Sequence, residues 1–290
     1  LTLDDKTVDV TVFDGRLASQ VDLVLVDAPG LFDRAGVYGE KGEDYPDNAL
    51  RFAVLSRAAA ELAKQRAQSG HPYDVVHCND WPTALVPVYA KQEASFPKTV
   101  LTVHNVAHQG TFPKATLPAL GLPWDMFKID GIEFYGGLNV LKAGILAADA
   151  VTTVSPTYAR EIQTPEGGGK LDGVLRDRGA ALLGILNGVD YGVWNPATDP
   201  ALPTRYDAED TSARAITRGA LQKELGLPLD ATAPIVASVG RMVPQKGTDL
   251  VAGALPRLLR ATDAQFVIAG DGDPSLVAKV EQACAKSDGR

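Results

Sequence analysis

"DVVHCNDWPTALVPVYAKQEASFPKTVLTVHN", from Asp74 to Asn105, holds two short apolar runs with a helical pattern between them. "DVVHCN" and "KTVLTVHN" have the length of strands and are apolar nearly throughout. "WPTALVPVYAKQ" has helical periodicity, with Asp80 as its cap and an interruption at Pro87. Apolar strands separated by helices belong to parallel sheets covered on both faces. This segment therefore sets the fold class as α/β.

The alternation continues in both directions. Upstream, "VDVTVF" (Val8 to Phe13) and "VDLVLVDA" (Val21 to Ala28) read as strands that could pair. "DNALRFAVLSRAAAELAKQRA" (Asp47 to Ala67) reads as a helix capped by Asp47. Downstream, a loop-rich stretch runs to about Gly137. "LNVLKAGILAA" is then a helix, "AVTTVS" a strand, and "PTYAREIQ" a helix with Pro156 at its first position. "AALLGILNG" is a strand ending in a turn. "NPATDPALP" (Asn195 to Pro203) is rich in proline and turn residues and marks a boundary. Beyond it come a helix, the strand "PIVASVG", a helix, the strand "AQFVIAGDG" and a final helix. One α/β domain over residues 1–195 and the beginning of a second over 196–290 is the expected organisation. Two strands are few for a domain of that class, which usually takes about 100–150 residues. The chain also begins with Leu1 and stops at "KSDGR", just after a helical pattern. The expectation is a piece of a longer protein.

The composition limits the function. The chain has 290 residues, 45% apolar and 22% charged, with a formal net charge of -8. That balance argues against a nucleic-acid partner. Cys78 and Cys284 lie far apart without metal-ligand spacing, as buried thiols in a reducing compartment would. No apolar run reaches the roughly 18 residues of a membrane span, and no signal peptide opens the sequence.

In open α/β sheets, ligands bind beyond the carboxyl ends of strands. Those exits carry His77, Asn79 and Asp80, then His104 and Asn105, then Gly240 and Arg241. Asp80 has a second reading as a helix cap, and His104 with Asn105 a second reading as the cap of a strand-to-loop turn. His71, beside Pro72, reads as a loop histidine, and His108 stays undecided. In "VGRMVPQKG" (Val239 to Gly247), glycines flank Arg241 and Lys246 at a strand exit. A planar guanidinium fork and a mobile ammonium suit a diphosphate, although surface cations would look the same. "VIAGDGDP" lacks the G-x-G-x-x-G spacing and follows the second strand of its domain, which argues against a nicotinamide oxidoreductase.

"HCNDWPTALVP", "TVHNVAHQGTFP", "LNVLKAGILAADAVTTVSPTYAREI", "LDGVLRDR", "GILNGVDYGVWNPATD" and "VGRMVPQKGTDL" resemble, in that order, segments of the ADP-glucose-dependent glycogen and starch synthases. These are retaining glucosyltransferases of family 5 with the GT-B fold. The resemblance covers the chain from about Leu31 to Gly272. It implies two Rossmann-like, doubly wound domains facing each other across a cleft, the first lacking its start and the second truncated. The first would be the acceptor side and the second the nucleotide-sugar side. By position in the motifs, His104 would lie against the transferred glucose, with Asn105 after it and Asp80 near the reacting centre. Asn139 would contact sugar hydroxyls, Tyr38 would be an active-site tyrosine, and Arg241 and Lys246 would hold the diphosphate. The family's opening Lys-x-Gly-Gly-Leu segment and its late Glu-containing segment are not in this sequence.

The implied reaction is transfer of glucose from ADP-glucose to the 4-hydroxyl of an α-1,4-glucan, with retention and without a metal or other cofactor. The implied partners are ADP-glucose and a glycogen primer, with no nucleic acid and no membrane. The oligomeric state is open. Location would be the bacterial cytoplasm, or the plastid for a plant starch synthase. The competing reading is a non-catalytic glucan-binding module, and the fragment alone is expected to be inactive.

Overall fold

The strand–helix–strand pattern folds as expected in the structure, a computed structural model that describes every residue except Asp4, Asp5, Lys41 and Asp288. The chain separates into two compact units, Leu1–Asn187 and Gly188–Arg290. The sequence places its boundary at 195. Residues 188–213 carry turns and no helix or strand, so the proline-rich stretch lies inside the second unit.

After a short antiparallel pairing of Thr2–Leu3 with Lys6–Thr7, the first unit has a longer antiparallel pair, β1 (Thr11–Arg16) and β2 (Asp22–Asp27). Helix α1 (Asn48–Gln68) follows. Ala49, Phe52, Ala53, Ser56, Ala60 and Ala63 are buried at three- and four-residue spacing, which makes one face of α1 part of the core. Asp47 holds the cap position, but its side chain makes no cap bond. Its carboxylate instead takes the Arg34 guanidinium through two bonds of 2.7 Å. An arginine fork outcompetes a single backbone N–H for a carboxylate.

The main sheet contains β3 (Val75–Asn79), β4 (Lys98–Val103), β5 (Ala150–Thr153) and β6 (Leu182–Gly184). All neighbours are parallel, and the strands lie in chain order, so every carboxyl end falls on the same edge. Between β3 and β4 the helical segment breaks at Ala84, giving one turn at Asp80–Thr83 and then α2 (Leu85–Ala90). The break precedes Pro87 because a proline ring clashes with the carbonyl four residues back. Helix α3 (Val140–Ala147) precedes β5, and α4 (Pro156–Glu161) follows it, with Ser155 capping α4. Any side chain at Gly144 of α3 would meet Ala84, its Cβ coming within 2.6 Å of that residue's Cβ and carbonyl oxygen. The expected loop-rich stretch contains a small antiparallel sheet of Thr111–Phe112, Glu133–Phe134 and Gly137–Asn139.

The second unit holds α5 (Arg214–Glu224), β7 (Ile235–Val239), α6 (Thr248–Ala261), β8 (Gln265–Ala269) and α7 (Pro274–Cys284). β7 and β8 are parallel over five residue pairs. Gln222 and Gln265 are buried and joined by a 2.9 Å bond. The apolar pattern of "PIVASV" reads as a strand covered on both faces. Val236 and Val239 are instead 50% and 80% exposed, and β7 has one strand neighbour among the described residues. Among the described residues no helix is long and apolar enough to cross a membrane.

Candidate active site

The first strand exit, at β3, turns sharply at Asp80, whose φ is +54°. Few residues other than glycine take this conformation, and aspartate is among those that tolerate it. The Asp80 carboxylate caps no helix. Its Oδ1 accepts the backbone N–H of His104 at 2.7 Å, joining the exit of β3 to that of β4. The His104 Nε2 lies 3.0 Å from the Asn79 side-chain oxygen. A neutral imidazole that donates there keeps Nδ1 as an acceptor. His104 is exposed, so its ring faces solvent at the carboxyl edge of the sheet. The Asn105 side-chain oxygen accepts from the Ala107 N–H at 3.0 Å and shapes the loop that follows.

His77 does not reach that edge. Its Nε2 meets the Thr102 hydroxyl at 2.6 Å, and Thr102 meets Thr152 at 2.6 Å, a polar rung running across β3, β4 and β5. A strand residue three positions before the exit points along the sheet rather than beyond it.

Aromatic rings line the same region. Trp81, 7% exposed, packs edge-on against Phe52 at 4.6 Å and against Phe112 at 5.7 Å. Tyr38 lies 5.9 Å from Trp81 and 5.6 Å from Phe52, between ring centroids. Gly110 lies against Trp81, where an added Cβ would come within 2.4 Å of the indole. The Tyr38 loop is fastened to α1: Asn48 donates to the Tyr38 carbonyl, and Arg51 donates to those of Leu31 and Val37. Burial, then the nearby Asp80 carboxylate, raises the pKa of the Tyr38 hydroxyl. Asp80 also raises that of Tyr158, after the larger effect of burial. One carboxylate is thus felt by two phenols near His104.

Asn139 is fully buried. Its oxygen accepts the Lys142 N–H at 2.8 Å as the cap of α3, and its amide donates to Gln109 Oε1 at 2.6 Å. The resemblance implies a contact between Asn139 and sugar hydroxyls, but in this structure both ends of its amide are engaged inside the protein. Gln109 Nε2 donates in turn to the carbonyls of Val106 and Gly169, each at 2.9 Å. The Tyr158 hydroxyl accepts the Val106 N–H at 3.0 Å. Gln109 and Tyr158 therefore hold both sides of the loop that leaves His104. Neither stands out in the sequence, since Gln109 sits on a loop and Tyr158 inside a short helix. Their only signal was membership of the quoted segments around His104 and Pro156.

In the second unit, Arg241 and Lys246 follow β7. Met242 continues the strand pairing through a bridge to Gly272, which fixes the residues after the exit. Pro244–Lys246 forms a tight turn that ends at Gly247, whose φ is +70°. Both cations are exposed. Among the described residues, no group of three or more His, Cys, Asp or Glu side chains is placed to hold a metal.

The family model of the starch synthase catalytic domain matches residues 2–177, which include β3, β4, the Asp80–His104 bond and Gln109. The chain belongs to the starch synthase catalytic domain family. Relatives in this family include a glycogen synthase of Anaeromyxobacter sp. (strain Fw109-5), 53% identical over 84% of this chain and 51% of its own length. Glycogen synthase 1 of Methylococcus capsulatus is 44% identical over 98% of this chain and 58% of its own. The chain thus spans little more than half the length of the curated relatives it matches. Among solved structures, the catalytic domain of starch synthase IV from Arabidopsis thaliana, bound to ADP and acarbose, superposes with a TM-score of 0.86. It is 33% identical, and the match covers 99% of this chain and 59% of that one. The α/β fold of the GT-B type expected from the sequence is the fold of this family member.

Proposed function

We propose that the protein is a glycogen synthase, transferring glucose from ADP-glucose to the non-reducing 4-hydroxyl of an α-1,4-glucan with retention. The observation that carries this reading is the latched pair Asp80 and His104 at the carboxyl edge of a sheet whose relatives, at 44% to 53% identity, are glycogen synthases. The solved relative bound to ADP and acarbose supports a nucleotide-diphosphate donor and a glucan acceptor. The bacterial relatives favour the cytoplasm over the plastid.

In this reading the first unit serves the acceptor and the transferred glucose, and the second serves the nucleotide sugar. His104 lies against the glucose and Asp80 fixes its backbone. Asn105 shapes the loop beside it, and the Tyr38 ring offers a half-exposed face at the same edge. Asn139 acts from inside the wall, through Gln109. The bond from glucose C1 to the diphosphate oxygen breaks as a bond from C1 to the acceptor O4 forms on the same face. The acceptor proton passes to the departing diphosphate. Arg241 and Lys246 balance the charge that grows on that group, which is where fixed donors lower a barrier most. No metal or other cofactor is assigned a part.

The test is glucose incorporation into glycogen by the protein expressed from its whole reading frame, with ADP-glucose and UDP-glucose in competition. Incorporation from ADP-glucose is expected. Preference for UDP-glucose would refute the donor assignment, and glucan binding without transfer would favour a non-catalytic module.

A further inference from the structure

The hairpin between Glu133–Phe134 and Gly137–Asn139 closes through Tyr135 and Gly136, with φ of +49° and +83°. A two-residue turn with both φ positive favours Asn-Gly or Asp-Gly, because a bulky side chain is strained there. Tyr135 is nonetheless the residue present, and it is 77% exposed. Its ring meets Phe134 edge-on at 4.8 Å, and the Lys170 ammonium stands 5.0 Å from its centroid. Lys170 is also a non-glycine residue at positive φ, +69°. Both partners of one exposed contact are thus held in a conformation their side chains disfavour. Strain of this kind gathers where a site requires it. Lys170 follows Gly169, whose carbonyl is bonded to Gln109 Nε2, and the same nitrogen binds the carbonyl of Val106, two residues past His104. The pair is therefore bonded through one side chain to the loop leaving the candidate active site.

We propose that Tyr135 and Lys170 form a stacking subsite for an α-glucan chain on the first unit. This rests on the glycogen synthase reading and adds a place where the acceptor is held. An exposed aromatic face suits the C–H face of a glucose ring, as such rings join apolar area to specific geometry. The ammonium, free to swing on its four-carbon stem, donates to the sugar hydroxyls. A single ring beside a cation, with the Glu133 carboxylate bonded to the Gly136 N–H close by, matches a pyranose better than an apolar protein surface.

The test separates stability from binding. Tyr135→Asn suits the left-handed turn and removes the ring, so its melting temperature should equal or exceed that of the parent. Its affinity for maltoheptaose by calorimetry, and its retardation in native gels containing glycogen, should fall about tenfold, equivalent to about 1.4 kcal/mol. Tyr135→Phe should bind like the parent, and Lys170→Asn should bind several-fold more weakly. Tyr135→Gly is the second ring-free variant, and a loss of binding in both at unchanged stability supports the subsite. Parent-like binding by Tyr135→Asn would overturn the subsite and leave the glycogen synthase reading intact. A parent protein that glycogen does not retard would overturn the subsite together with the glucan part of that reading.

Discussion

Asp80 and His104, twenty-four residues apart, are joined by a 2.7 Å bond from the His104 backbone N–H to the Asp80 carboxylate. The bond latches the exits of two neighbouring parallel strands, and it exists because Asp80 adopts a φ of +54°. Had the residue kept an ordinary helix-cap conformation, the carboxylate would have served its own helix. A strained backbone here serves placement of the histidine.

Replacing the latch should therefore cost stability as well as activity. Asp80→Ala loses the acceptor and leaves a Cβ at positive φ with no polar group to offset it, an expected loss of about 1–2 kcal/mol. Asp80→Asn keeps an acceptor and tolerates the left-handed region, so less than about 1 kcal/mol should be lost. Urea unfolding of both variants measures the difference. Equal stability of Asp80→Ala and the parent would show that the bond holds nothing.

Gln109 joins three segments through one amide: Val106 in the loop after His104, Asn139 before α3, and Gly169. Gln109→Ala leaves the buried Asn139 amide without its acceptor, at a cost of about 1–3 kcal/mol. Gln109→Glu keeps that acceptor but faces two carbonyls with oxygen, so it should not restore the parent. A double-mutant cycle with Asn139→Ala should give a coupling of about 1–2 kcal/mol. Coupling near zero would mean that the two residues act separately. In the proposed reaction both variants should lower kcat more than they raise KM for ADP-glucose, since they displace the His104 loop rather than a donor contact.

The parallel sheet was legible because its strands are apolar runs with helices between them, and "KTVLTVHN" needs no tertiary information to be read as a strand. The exits were legible for the same reason: where the run stops at His104 or Asn79, the edge of the sheet is reached. Asp80 was harder. An aspartate before a helical pattern looks like a cap, and only the positive φ turns its side chain towards a residue on the next strand. Gln109 left no periodic trace, because its partners come from residues 106, 139 and 169, which only the fold brings together. His77 misled for the opposite reason. Its residue type suits a site, but its place in β3 directs it to Thr102 across the sheet.

Arg241 and Lys246 are exposed and rest on a turn fixed by Gly247. Neither side chain fills the core, so Arg241→Ala and Lys246→Ala should unfold within about 0.5 kcal/mol of the parent. If they hold a departing diphosphate, each should lower kcat by about 10²- to 10³-fold while glycogen binding stays unchanged. Arg241→Lys should recover little, because the planar fork is lost. Turnover near that of the parent in both alanine variants would identify them as surface cations.

Asp149 provides a test at the opposite edge of the sheet from His104. It accepts from the Thr99 N–H at 2.8 Å and the Thr99 hydroxyl at 3.0 Å, and pairs with Lys98 at 3.2 Å, tying the start of β4 to the residue before β5. The Thr99 N–H above all, then its hydroxyl and the Lys98 and Lys91 ammonium groups, lowers the carboxyl pKa from 3.8 to about 2. A carboxylate whose pKa is depressed by folding stabilises the folded state above its unfolded value, and that contribution is lost as the pH falls through the folded one. The window is thus between about pH 4 and pH 2. With the side chain near one-third exposed, the contribution at neutral pH should be about 1–2 kcal/mol after screening. Asp149→Asn should be less stable than the parent by that amount at pH 7, and the two should converge as the pH approaches 2. The comparison is made by urea unfolding at each pH, and a difference that stays constant from pH 7 to pH 2 would show that the charge of Asp149 plays no part in holding the two strands together.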